Sequence, residues 1–95
     1  MLSSGPETPG FRQGLSVAGA ELGSGSEVYL YCVDEAVRGV ADPRLQELRA
    51  NGLRLFACAL GARRYGVKMD ESAIFSGLAT LSGIIANADR FENFG

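Results

Sequence analysis

Apolar residues fall into two kinds of pattern along the chain. Val28-Tyr29-Leu30-Tyr31-Cys32-Val33 and the run from Leu53 to Ala57 are continuous apart from Arg54. Such runs read as strands of a parallel sheet buried on both faces. Phe11, Leu15, Ala18 and Leu22 instead recur at i, i+4, i+7 and i+11, and so do Ile74, Leu78, Leu81 and Ile85. That spacing lays each set along one face of a helix. Arg90-Phe91-Glu92-Asn93-Phe94 alternates as an edge strand would. Strands alternating with helices imply βαβ units, right-handed crossovers and a parallel sheet.

The residues between these segments agree with that order. Met1 and Leu2 read as the last residues of a strand, followed by a turn-rich loop from Ser3 to Gly10. Thr8 is the expected cap of the first helix, with Pro9 in its first turn. Gly14 and Gly19 weaken that helix and allow close packing on a sheet. Gly23-Ser24-Gly25-Ser26 leaves a helix for a strand, the reverse of a dinucleotide-binding loop, so no nucleotide site is expected there. Asp34 to Val40 reads as a short helix or loop. Asp42 and Pro43 start the next helix, with Leu45 and Leu48 inward, and Asn51-Gly52 ends it. Val67 to Asp70 is a connection, and Asp70 or Ser72 is the expected cap of the last helix, which ends near Asn87 and Ala88. Gly61 to Lys68 resembles a P-loop only superficially. Its lysine is one place late, and no Ser or Thr follows it.

Composition narrows the chemistry. A chain of 95 residues with 46% hydrophobic residues makes one domain, residues 1–95, with one modest core. A net charge of −2 speaks against a nucleic-acid partner, which would need a basic face. No apolar run approaches a membrane span, and no charged segment followed by an apolar one marks a secretory leader, so a cytoplasmic protein is expected. The sequence contains no histidine, which excludes Ser-His-Asp and Cys-His catalysis within one chain. With only two cysteines, a structural zinc site of the usual kind is excluded as well. The two cysteines read as free thiols rather than a disulfide framework.

Thiol chemistry therefore rests on Cys58, on Cys32, or on both. Cys58 ends the Leu53–Ala57 run, and Ala59 to Tyr65 favour helix up to Gly66. It stands where a strand hands over to a helix, the sheet edge where ligands and reactive groups collect in open α/β folds. Helical N–H groups there favour the thiolate, and Arg63 and Arg64 add positive charge nearby. The alternative for Cys58 is a small apolar filler, and for the arginines a solvated helix face. Cys32, near the end of the earlier strand, reads as a packed strand residue.

The chain resembles the DsrE/DsrF-like family, which includes sulfur-relay subunits. Cys58-Ala59-Leu60-Gly61-Ala62-Arg63-Arg64-Tyr65-Gly66-Val67 carries the resemblance most strongly: a cysteine, small residues, paired basic residues, then Gly-Val. Phe75-Ser76-Gly77-Leu78-Ala79-Thr80-Leu81, Ala88-Asp89-Arg90-Phe91 and the early Ser3-Ser4-Gly5-Pro6 loop extend it over nearly the whole chain. The resemblance implies a three-layer α/β/α domain, here with a mostly parallel sheet of four to five strands. It implies assembly into homo-oligomers, whether dimer, trimer or hexamer. It also implies that Cys58 carries persulfide sulfur between donor and acceptor proteins without a metal or organic cofactor. No role passes to Cys32. The alternatives are a non-catalytic oligomeric binding module, with Cys58 as packing, and a redox sensor using both thiols.

Overall fold

The computed structural model describes residues 1–95. Its elements run in the order α1 (Pro9–Gly23), β1 (Tyr29–Cys32), a 3-10 turn over Asp34–Gly39, α2 (Pro43–Ala50), β2 (Arg54–Cys58), α3 (Ala59–Arg64), β3 (Ile74–Ser76) and α4 (Leu78–Asn87). The strands form a parallel sheet in the order β1-β2-β3. The protein is an α/β fold with a three-strand parallel sheet flanked by helices.

Local chemistry fixes the helix starts. Thr8 Oγ1 accepts a hydrogen bond from the Phe11 amide at 3.2 Å, with Pro9 in the first turn of α1. Asp42 does the same for α2, accepting from the Arg44 amide at 2.9 Å ahead of Pro43. Gly14 lets α1 approach the sheet: a Cβ there would lie 2.8 Å from Leu2 Cδ1. Gly19 differs from expectation, facing Leu48 of α2 and not the sheet.

Register divides the core. Leu30, Cys32, Leu55 and Ala57 are buried with Phe11, Leu15 and Ala18 of α1, Val37 of the 3-10 turn, Leu45 of α2 and Ala62 of α3. Tyr31 and Phe56, paired across β1 and β2, belong to a second, smaller core with Leu81 of α4. Successive strand residues alternate between faces, so these two cores lie on opposite sides of the sheet.

Two expectations about the sheet are corrected. The sheet has three strands, not four or five. Leu2 makes single parallel bridges to Cys32 and to Phe94, and neither grows into a ladder. The Arg90–Phe94 alternation therefore yields one bridge, with the Phe94 amide donating to the Met1 carbonyl at 2.9 Å.

The second correction concerns Ile74. It is not on the last helix but pairs with Phe56 in β3, and α4 begins only at Leu78, after Gly77. The i, i+4 spacing of Ile74 and Leu78 is accidental. The unpaired edge of β2 takes the β-branched and aromatic residues Ile74 and Phe75 as a strand. Asp70 caps no helix. Its carboxylate accepts from the Ser72 amide at 2.9 Å within a turn. Gln46 then ties that turn down, its side-chain amide donating to the carbonyls of Val40 at 2.6 Å and Ser72 at 2.9 Å.

Candidate functional site

Cys58 is the last residue of the central strand β2 and the N-cap of α3. Its backbone is extended, with φ −69° and ψ 121°, and the next residue is helical. The strand-to-helix handover expected from sequence is therefore present, at the carboxyl edge of the sheet. The Cys58 side chain makes no capping bond to α3. It is half-buried and packs against both cores.

Backbone hydrogen bonds fix the end of α3. Gly66 sits at φ +68°. The Val67 amide donates to the Ala62 carbonyl at 2.8 Å, and the Gly66 amide to the Arg63 carbonyl at 3.3 Å. These paired bonds are the Schellman arrangement that closes a helix. Val67 also packs against the core containing Ala62, supplying the apolar contact that accompanies such an end. The Ala62-to-Val67 part of the cysteine segment is thus a folding unit.

Arg63 and Arg64 lie in the last turn of α3, and both are exposed. The Arg64 guanidinium stands 5.7 Å from the centre of the Tyr65 ring. That contact directs it to the carboxyl end of the helix, whereas Cys58 is at the amino end. Leu60, in the first turn of α3, is 71% exposed.

Cys32 occupies a different environment. It is fully buried in the larger core, in register with Ala57. Burial pushes its thiol up to about 12, and the positive charge of the chain's amino group opposes that only in part. A thiol so protonated is a poor nucleophile. The packed-strand reading of Cys32 holds. The two cysteines are both free.

Two residues that the sequence did not single out as functional lie beside Cys58. Ser76 of β3 is its register partner. Tyr31 of β1 reaches the same corner, its hydroxyl 3.1 Å from the carbonyl oxygens of Ser76 and of Gly77. A signal was available for Tyr31, because a tyrosine inside a buried strand needs a partner for its hydroxyl. No signal in the sequence gave the register that selects Ser76.

The molecule's one groove, about 810 Å³, lies elsewhere. It runs between α1, β1, α4 and the final residues, reaching Tyr31 but no residue of β2 or α3. No three Cys, Asp or Glu side chains converge as a metal site. No helix is long and apolar enough to cross a membrane.

Comparison with curated proteins and with solved structures finds no match. Comparison with protein families does: residues 1–94 match the DsrE/DsrF-like family, and the chain belongs to it.

Proposed function

We propose that the protein is a persulfide carrier of the sulfur-relay type, with Cys58 as the sulfur-bearing residue. The observation that carries this reading is the contrast between the two thiols. Cys58 is partly exposed at the carboxyl edge of the central strand, whereas Cys32 is sealed in the core. Family membership supports the same reaction class.

The chemistry is thiol exchange on sulfane sulfur. The Cys58 thiol loses its proton, and the thiolate attacks the outer sulfur of a donor R–S–SH. A bond forms between Cys58 Sγ and that sulfur, the donor's S–S bond breaks, and the donor leaves as RS⁻, which takes up a proton. Cys58–S–SH then gives its outer sulfur to an acceptor thiolate by the same displacement. Sulfur changes owner without net oxidation or reduction, so no cofactor is required. The reaction suits a reducing cytoplasm, where Cys58 stays free.

The assembly is a homo-oligomer, dimer, trimer or hexamer. Supporting this, Ile74 and Leu78 are 57% and 64% exposed, with Ile85 and Phe91 also on the surface. Light scattering at micromolar concentration tests it, and a monomer would contradict it. The finer architecture belongs to the same reading. The cores on the two faces of the sheet support a three-layer α/β/α arrangement.

The direct test is incubation with polysulfide followed by peptide mass spectrometry. A gain of one sulfur on the Cys58 peptide is expected. A gain confined to Cys32, or none in a folded protein, would reject the carrier reading.

A further inference from the structure

We infer that Tyr31 is a positioning residue for Cys58, acting through the turn that joins β3 to α4; this rests on the carrier reading of Cys58. Tyr31 is 2% exposed and stacks on Phe56, with ring centroids 6.3 Å apart and planes 6° from parallel. Phe56 and Cys58 lie two residues apart on β2 and so share a face of the sheet. Ser76, the register partner of Cys58, stands on the adjoining strand. The Tyr31 hydroxyl crosses β2 to reach it, 3.1 Å from the Ser76 carbonyl, 3.1 Å from the Gly77 carbonyl and 3.4 Å from Ser76 Oγ. A side chain of β1 is thereby tied to β3 over the strand that ends in Cys58.

Little else holds that turn. β3 is three residues long, and α4 buries only Leu81. Gly77, the N-cap of α4, has no side chain to cap the helix, and its carbonyl otherwise accepts only from the Thr80 amide at 3.2 Å. Gly77 and Leu78 are exposed. The hydroxyl is therefore a latch on one wall of the Cys58 corner. Its loss frees the Ser76–Gly77 turn and widens the approach to the thiol.

The test is Tyr31→Phe, which keeps the ring and its stacking. Cys58 alkylation is timed with iodoacetamide and with a maleimide carrying a bulky polyethylene glycol, each assigned to Cys58 by peptide mass spectrometry. The ratio of bulky to small rate should rise about fivefold, the shift in an open–closed equilibrium expected when one ordinary hydrogen bond is lost. Tyr31→para-aminophenylalanine, which returns a donor to the same place, should restore the wild-type ratio. An unchanged ratio in folded Tyr31→Phe would overturn the inference. Should that variant not fold, the wild type decides: the Tyr31 hydroxyl proton should exchange with water far more slowly than that of exposed Tyr29, and equal rates would overturn the latch. Polysulfide treatment separates the two claims. Wild type that fails to gain sulfur rejects the carrier reading, whereas wild type that gains it with no change of ratio in the variant rejects only the role of Tyr31.

Discussion

Cys32 is in register with Ala57, one residue short of Cys58, so the two thiols leave neighbouring strands toward opposite faces of the sheet. The cysteines are close in the fold and still badly placed for one another. A disulfide needs side chains that converge, and here the alternation of the strand turns them apart. Mild oxidation should therefore leave no Cys32–Cys58 link. Mass spectrometry after non-reducing digestion checks this, and a linked peptide as the main species would restore the redox-sensor reading.

Cys32 should matter for stability alone. Cys32→Ser puts a hydroxyl into a fully buried apolar site, which costs about 1–3 kcal/mol unless it finds a partner. A urea melt reads the loss directly. Persulfide gain at Cys58 should be unaffected, because the Cys32 side chain is sealed from solvent on the opposite face of the sheet.

The same residue predicts a pH dependence. Its thiol is raised from 9.0 to about 12 by burial. The folded state then holds a proton that the unfolded chain gives up, so stability falls as pH rises. The contribution is fully present below pH 9.0 and is lost as pH climbs toward about 12. The slope approaches about 1.4 kcal/mol per pH unit within that window. Denaturant melts of wild type and Cys32→Ala at pH 8 to 11 test this: the wild type should lose stability more steeply than the variant, and parallel slopes would contradict it.

Much of this arrangement was legible in the chain. The Leu53–Ala57 run, the following helix formers and Gly66 located Cys58 at a strand-to-helix handover, because burial and turn chemistry act locally there. The spacing of Ile74 from Leu78 imitates a helical face, but pairing with the open edge of β2 decides its structure. Arg90 to Phe94 has the alternation of a strand, but a strand needs a partner of matching length, and Leu2 supplies a single bridge. Tyr31 and Ser76 meet across an intervening strand, and that contact depends on register, which no local pattern encodes.

Gln46 offers a check on how β3 is held. Its amide donates to the carbonyls of Val40 and Ser72, joining the end of the 3-10 segment to the residues before β3. Gln46→Ala should cost about 1–2 kcal/mol, the scale of two ordinary hydrogen bonds in a partly buried place. Limited proteolysis should also cut faster between Val67 and Ser72. A variant as stable and as resistant as wild type would show that the strand is held by other contacts.

The central claim is that Cys58 carries sulfur, and Cys58→Ser reads it most directly. Serine nearly matches cysteine in size, and at a half-buried site its hydroxyl can bond to water, so stability should change by no more than about 0.5 kcal/mol. The measurement is the mass of each cysteine peptide after polysulfide treatment, paired with a urea melt of the same preparation. Wild type should gain one sulfur at Cys58, and the variant should gain none while melting at the same urea concentration. Sulfur uptake that persists in Cys58→Ser, accompanied by a clear loss of stability, would show Cys58 to be core packing and would contradict the account.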